Sequence, residues 1–317
     1  MKNNKKLLIT GAAGFIGSEF TRQAVQKGYA VIAIDKLTYA GDLKRLEQVK
    51  KKLRFYRLDV IDRKGLKSVI MKEKPACIIH FAAETHVDRS IQDAHPFIKT
   101  NIIGTQNLID IARASSIKKF IHISTDEVYG ESKTGWFREN SPLKPNNPYS
   151  ATKAAAELLI KAAIRTHGLK AIIIRPCNNY GSWQNSEKFI PVIILKAIKG
   201  KKVPVYGKGR QIREWLHVSD CAQAIHTIIR KGKIGETYNI GSPFEQNNLK
   251  IAQMIIALLS KKDSLVQFVP DRPGHDFRYG LDSSKLKNLN WKPKIDLPKG
   301  LIQTIQWYKN HLNWGIL

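Results

Sequence analysis

Lys6-Leu7-Leu8-Ile9-Thr10-Gly11-Ala12-Ala13-Gly14-Phe15-Ile16-Gly17 is the stretch whose reading decides the fold. Lys6 to Thr10 reads as a short buried strand, and the three glycines open a helix that runs from about Phe15 to Lys27. Gly11 permits a tight turn. Gly14 lets the backbone approach a pyrophosphate, and Gly17 lets the helix lie close to the sheet, while the helix N-terminus favours negative charge. Gly28 ends the helix, and Tyr29 to Asp35 forms the next strand. A glycine triplet alone is weak evidence, because glycine turns are common; the surrounding strand, helix and strand supply the context. Asp35 then stands where the dinucleotide fingerprint needs an acid for the ribose hydroxyls. Its charge would repel a 2′-phosphate, which favours NAD over NADP, although Lys36 beside it leaves NADP open. On its own, Asp35 could equally be a turn residue closing a strand.

Working outward, strand patterns recur at Arg54 to Asp59, Cys77 to Phe81, Lys119 to Ile123 and Ala171 to Arg175. Helical patterns separate them, notably Phe97 to Ala114 and Tyr149 to Thr166. This alternation predicts an α/β fold with a doubly wound parallel sheet of the Rossmann type, whose ligands bind beyond the carboxyl ends of the strands. After Pro176 the rhythm changes, and prolines at 191, 204, 243, 270, 273, 293 and 298 punctuate shorter elements. The expected organisation is a dinucleotide-binding domain over residues 1–176 and a smaller mixed α/β substrate-binding lobe over 177–317. Segments near 205–240, including a helix at Val218 to Ile229 and a strand at Glu236 to Ile240, are expected to return to the main sheet.

Asp59 at the end of the third strand could meet an adenine amino group or simply terminate the strand. Phe81-Ala82-Ala83 leaves room for a flat cofactor. Tyr149 and Lys153 are four residues apart at the start of a helix, so they share one face. A tyrosine normally loses its proton near pH 10 (about 10 for the free side chain), too high for a base at neutral pH. A neighbouring ammonium and an oxidised nicotinamide would both favour phenolate. Thr125 can hydrogen-bond the same substrate hydroxyl. Asp126 and Glu127 are surplus to a plain dehydrogenase; they are either a solvated acidic turn or an acid and base pair whose surroundings separate their pKa values.

The composition bounds the rest. Of the 317 residues, 43% are hydrophobic, and no apolar run approaches a membrane span. The N-terminus lacks the apolar core of a signal peptide. Cys77, Cys177 and Cys221 are far apart and form neither a disulfide framework nor a metal spacing, which suits a reducing cytoplasm. The net charge of +27 is scattered along the chain without a nucleic-acid-binding motif. It reads as a solvated basic surface whose field would attract an anionic substrate. No specific nucleic-acid partner and no membrane partner is expected.

The chain resembles the extended short-chain dehydrogenase/reductases, and within them the dTDP-glucose 4,6-dehydratases. The resemblance runs nearly end to end and rests on His80-Phe-Ala-Ala-Glu-Thr-His-Val-Asp-Arg-Ser90, Ser124-Thr125-Asp126-Glu127-Val128-Tyr129-Gly130, Tyr149-Ser-Ala-Thr-Lys153, Asn178-Asn-Tyr-Gly181 and Asp271-Arg-Pro-Gly-His-Asp276. It implies a cycle in which Tyr149 deprotonates the sugar 4-hydroxyl while NAD oxidises C4. Glu127 then takes the C5 proton, and Asp126 protonates the departing C6 hydroxyl. The implied cofactor contacts are Gly11, Gly14, Phe15, Ile16, Gly17, Asp35, Lys36, Leu37, Thr38, Asp59, Val60, Phe81, Ala82, Ala83, Thr100, Tyr149, Lys153 and Asn178. The implied sugar-nucleotide contacts are Thr85, Thr125, Asn178, Asn179, Lys188, Tyr206, Arg213, Asn239, Arg272 and His275. No metal is implied. A homodimer built from two helices per subunit is implied as well. The segment Ser182 to Ser186 departs from the family pattern by losing two prolines, which predicts a looser loop near the nucleotide. The rival readings are an NAD-dependent sugar-nucleotide 4-epimerase of the same fold, or a basic nucleic-acid-binding or scaffold protein.

Overall fold

Alternating side chains along the strands divide the interior into two layers, as a sheet covered on both faces requires. Leu7, Ile9, Val31, Ala33, Ile121, Ile123, Ile172 and Ile174 share one apolar cluster, while Leu8, Ile32, Ile34, Ile78, Phe120 and Ile173 share the other. The computed structural model describes residues 6–115 and 117–314.

The first six strands are β1 (Lys6–Thr10), β2 (Ala30–Asp35), β3 (Leu53–Arg57), β4 (Cys77–His80), β5 (Lys119–Ile123) and β6 (Ala171–Pro176). Between them run α1 (Phe15–Gln26), α2 (Arg63–Glu73), α3 (Val87–Gln92), α4 (His95–Phe97), α5 (Gly104–Ala114) and α6 (Pro148–His167). The second half adds β7 (Asn178–Tyr180), α7 (Phe189–Ile198), β8 (Val203–Tyr206), β9 (Ile212–His217), α8 (Val218–Lys231), β10 (Thr237–Ile240), β11 (Glu245–Asn247), α9 (Asn248–Leu258), β12 (Val266–Val269), α10 (Ser284–Lys287) and α11 (Leu297–Asn310). The central sheet has seven strands in the order β10-β6-β5-β4-β1-β2-β3, all parallel. This is the expected doubly wound sheet.

The strand order reverses between β1 and β4, and that reversal opens a crevice above their carboxyl ends. The chain returns to this sheet once after Pro176: β10 pairs with β6 through Thr237 and Ile173, and α8 follows the fold back to pack beside α1. β8 and β9 do not join it; they belong to small sheets, β8 with β12 and β9 with β7 and β11. A third cluster, with Ile190, Ile193, Trp215, Ile251, Ile255, Leu301, Ile305 and Tyr308, forms the core of this second lobe.

One expected element differs in kind. The helical pattern from Phe97 to Ala114 is interrupted by a π-helical segment at Ile98–Ile103. Asn101 within it accepts from Glu84 N (2.9 Å) and donates to Glu84 O (3.1 Å) and to Thr152 Oγ1 (2.9 Å). Those three bonds tie the helix to the loop after β4 and to α6, and a π turn is the local form that lets one side chain serve both.

Candidate active site

A cavity of about 320 Å³ occupies the crevice at the reversal point. Its floor is the glycine loop. Gly11 has φ of +68°, and a Cβ there would lie 2.6 Å from Ala82 N. A Cβ on Gly17 would lie 2.1 Å from Gly11 O, so the first turn of α1 sits against the loop only because this side chain is absent. Gly14 is the N-cap of α1, and no side chain closes that first turn. The helix end is therefore left open to an anion.

Asp35 ends β2 at the cavity wall and accepts Ala13 N (2.9 Å) on one oxygen and Leu37 N (2.8 Å) on the other. Each oxygen keeps a second lone pair for a ribose hydroxyl. Lys36 is flanked by Asp59 (3.4 Å) and Glu84 (3.6 Å), so its charge is already matched. A 2′-phosphate would meet the Asp35 carboxylate and a lysine held by two acids, whereas NAD fits.

The opposite end of the cavity carries the polar side chains that follow β5 and open α6. Asn147 caps α6 by accepting Ser150 N (2.9 Å), and Pro148 takes the first helical position. This capped start presents Tyr149 and Lys153 on one face, as their spacing requires. Thr125 caps the short 3₁₀ turn Asp126–Tyr129: its Oγ1 accepts from Glu127 N (3.3 Å) and donates to Asp126 Oδ1 (3.1 Å). The Thr125 hydroxyl also lies beside the Tyr149 hydroxyl. Gly130 ends the turn with φ of +77°, and a Cβ there would meet Lys144 O at 2.1 Å. Asn147 Nδ2 donates to Glu127 Oε2 (3.3 Å). Thr125, Glu127, Tyr149 and Lys153 all line the cavity; Asp126 is buried directly behind, and its Oδ2 has no hydrogen-bond partner.

The surroundings separate the two acids. Burial pushes the Asp126 carboxyl well above its ordinary pKa, and the negative Glu127 and Glu214 add to it. Glu127 is also raised by burial, but Arg272, Arg213 and the Asn147 bond pull against it. The stronger upward push falls on Asp126, which is therefore the more readily protonated member of the pair. Tyr149 departs from the expected direction. Burial, and then Glu127, raise its pKa, while the neighbouring Thr125 pulls the other way. Lys153 Nζ donates to Ile123 O (2.6 Å), and burial holds its pKa down to about 8.

The sequence profile described as GDP-mannose 4,6 dehydratase matches residues 8–304. The dTDP-glucose 4,6-dehydratase of Streptomyces niveus is 44% identical over 318 residues, covering 98% of this chain and 94% of the relative. The chain belongs to the dTDP-glucose 4,6-dehydratase family. A crystal structure of a Streptomyces venezuelae dTDP-glucose 4,6-dehydratase with NAD and TYD bound superposes with a TM-score of 0.94 at 41% identity, covering 98% of both chains. A Thermus thermophilus UDP-glucose 4-epimerase in complex with NAD shares the fold at a TM-score of 0.90 but only 27% identity, over 96% of this chain and 99% of that one.

Within this dehydratase fold, the cavity brings together every residue expected at the cofactor except Leu37, which has φ of +58° and serves Asp35 through its backbone. Thr85, Asn178, Asn179 and Lys188 line it too. Lys188 Nζ donates to Thr85 O (3.3 Å), and burial lowers its pKa. Of the remaining expected sugar-nucleotide contacts, Arg213, Arg272, His275 and Tyr206 do not line this cavity, although Arg272 and Arg213 act on Glu127 through their charge. Arg213 is buried and donates to Asp276 O (2.9 Å) and Phe277 O (3.2 Å); it reaches the site through its charge on Asp126 and Glu127. Arg272 pairs with Asp88 (3.5 Å), and His275 Nδ1 lies 2.6 Å from Asp271 Oδ1. Tyr206 is half-exposed, with its hydroxyl 3.4 Å from Asp88 Oδ2.

Asn239 requires a correction. Its Oδ1 accepts from Tyr129 Oη (2.8 Å), and its Nδ2 donates to Phe137 O (3.0 Å) and Asp282 O (3.1 Å), with no surface exposed. The side chain is fully engaged inside the fold, with no exposed surface to offer a ligand. The Ser182 to Ser186 loop is corrected as well. Gln184 O accepts from Tyr308 Oη and from Trp314 Nε1 (3.2 Å), and Gln184 Nε2 donates to Asn179 O (2.9 Å). Aromatic packing and these bonds hold the loop that the missing prolines were expected to loosen.

Gln184, Asn185, Glu187 and Arg45 line the cavity and were missed. No sequence motif marks Arg45, because its role depends on three carbonyls brought together by the fold.

Proposed function

We propose that this protein is a sugar-nucleotide 4,6-dehydratase that uses bound NAD to convert dTDP-glucose, or a related nucleoside-diphosphate hexose, into the 4-keto-6-deoxy sugar nucleotide and water. One observation carries the reading: an open helix N-terminus and Asp35 share a single cavity with Thr125, Glu127 and Tyr149, and Asp126, whose carboxyl pKa burial pushes well up, lies beside Glu127.

NAD, when bound, supplies the oxidant for C4 and, once reduced, the reductant for C6, so it is regenerated in each turnover. Tyr149, as the phenolate that the positive charge of the oxidised nicotinamide would favour, would accept the proton of the 4-hydroxyl, and Thr125 beside the phenol would orient that hydroxyl. The C4 ketone acidifies C5, and Glu127 removes the C5 proton. Asp126 gives its proton to the C6 hydroxyl, which leaves as water. A proton returns to C5 as C6 is reduced. Lys153 would hold the nicotinamide ribose and Lys188 the diphosphate, a reading supported by the position of both in the cavity lining.

The apolar face beside this helix pair supports a homodimer. Leu158 on α6 is 58% exposed, with Ile103 at 47% and Ile98 at 41% on the adjoining helical segment. The three cysteines are buried and unpaired, which supports a reducing cytoplasmic setting. Among the described residues, no helix is long and apolar enough to cross a membrane.

Incubation with dTDP-glucose and with UDP-glucose in heavy water tests the reading. The expected product is a 4-keto-6-deoxy sugar carrying deuterium at C5. A sugar inverted at C4 and otherwise unchanged would overturn it in favour of an epimerase. The preferred substrate of the two identifies the base.

A further inference from the structure

Arg45 is 3% exposed, and among the described residues no carboxylate forms an ion pair with it; Asp42 and Asp35 act on it only at longer range. Its guanidinium instead gathers three backbone carbonyls: Nη1 donates to Ala13 O (2.7 Å) and Ala40 O (2.5 Å), and Nε donates to Trp183 O (3.0 Å). Ala13 belongs to the glycine loop and Ala40 to the segment after Asp35, while Trp183 belongs to the loop that closes the same cavity from the second lobe. One side chain thus bridges two walls of the cavity at its ribose end. Burial lowers the pKa of this guanidinium to about 10, against the more distant pull of the Asp42 and Asp35 carboxylates.

The outer face of Arg45 is covered from α11 and the turn beyond it. Its guanidinium carbon stands 5.0 Å from the ring centre of Trp314. Trp314 packs edge-on against Trp183 (4.9 Å), and Trp183 also meets Trp307 (4.9 Å) and His311 (5.8 Å). Trp183 has φ of +70°, a conformation that a bulky residue holds only when its surroundings impose it. Tyr308 and Trp314 also share Gln184 O, so backbone and side chain of this loop are gripped from the same segment. The core of the second lobe anchors α11 through Leu301 and Ile305, and Trp307 and Trp314 pack against that same core.

We infer that Trp314 and Arg45 are positioning residues: together they latch the Trp183–Asn185 loop onto the glycine loop and set how long the dinucleotide stays in its cavity. The inference rests on the reading that this cavity holds NAD. A cofactor regenerated in each turnover has no catalytic need to leave, and a latch on the wall of its cavity slows its escape without touching the reacting carbons.

The test is exchange of bound NAD against isotopically labelled NAD in the full-length protein, with NAD content after gel filtration as a second readout. Trp314→Ala and Arg45→Gln are each expected to exchange at least tenfold faster than wild type and to lose NAD on the column. Added NAD restores their activity, while KM for the sugar nucleotide moves less than twofold. Trp314→Phe, which keeps a ring over Arg45, is expected to restore slow exchange. Arg45→Lys keeps the charge but not the three-way donation, and it too is expected to exchange faster; it carries the test if Trp314→Ala fails to fold. Wild-type exchange rates in folded Trp314→Ala and Arg45→Lys would overturn the latch. A wild-type protein that neither contains nor binds NAD would instead overturn the functional reading.

Discussion

Asn147 donates from Nδ2 to the carboxylate of Glu127 at 3.3 Å while its Oδ1 caps the helix that carries Tyr149. The group proposed to act at C5 and the group proposed to act at C4 are thereby positioned by one side chain. Asn147→Ala removes both bonds. Loss of the cap costs about 1 kcal/mol of stability. The lost hydrogen bond had been lowering the Glu127 pKa, so that pKa rises. Glu127 must be ionised to act as a base, so the acid limb of the pH–rate profile moves to higher pH. Steady-state rates across the acid range, together with a urea titration, measure the two effects separately.

Glu127→Gln removes the base and leaves the cofactor cradle in place. Deuterium uptake at C5 is expected to fall by about 10²–10⁴-fold, the usual contribution of a positioned acid or base. NAD content remains that of wild type. Full exchange at C5 in this variant would take Glu127 out of the mechanism.

Asp126→Asn tests the acid. The amide cannot supply a proton to the leaving hydroxyl, whereas oxidation at C4 needs only Tyr149 and NAD. Single-turnover absorbance is expected to show reduced nicotinamide building up, because elimination now lags oxidation. An undiminished elimination rate would point to another donor.

Lys153 has its pKa lowered to about 8 by burial. The unfolded lysine titrates near 10.4 (about that value in peptides), so between pH 8 and 10 the unfolded chain binds more protons than the folded one. Stability from this group therefore rises with pH across that window, by at most about 1.4 kcal/mol per pH unit. Comparing melting of the wild type with Lys153→Met isolates the effect from tyrosines and cysteines that titrate nearby. The gap between the two proteins should change in favour of wild type as pH rises, and a constant gap would contradict it.

Arg175 and Glu157 form a fully buried ion pair, with Arg175 Nε 2.9 Å from Glu157 Oε1. Arg175 Nη1 also donates to Tyr129 Oη (2.5 Å), which in turn holds Asn239, so the pair supports the catalytic turn from behind. Glu157→Gln leaves the guanidinium without its counter-charge and is expected to cost about 3–5 kcal/mol in denaturant unfolding. A loss under 1 kcal/mol (roughly the value of an exposed pair) would show that the site is not dry.

The parts of this protein legible in its sequence are those in which a local pattern fixes local geometry. Alternating apolar residues and the glycine spacing at 11, 14 and 17 sufficed for a parallel sheet with a cavity at its reversal point, because strand period, turn conformation and helix entry are properties of a few consecutive residues. The four-residue spacing of Tyr149 and Lys153 placed them on one face for the same reason. The tertiary structure decided what each group touches. Burial raised the pKa of Tyr149 and turned Lys153 toward Ile123 O, because desolvation depends on everything packed around a side chain and not on its neighbours in sequence. Asn239, expected at the substrate, proved fully bonded inside the fold, and the loop at 182–186, expected to be loose, is held by Tyr308 and Trp314 from more than a hundred residues away. Contacts between residues so distant in the chain have no signature in either stretch alone, since each donor and acceptor acquires its partner only when the second lobe closes over the first.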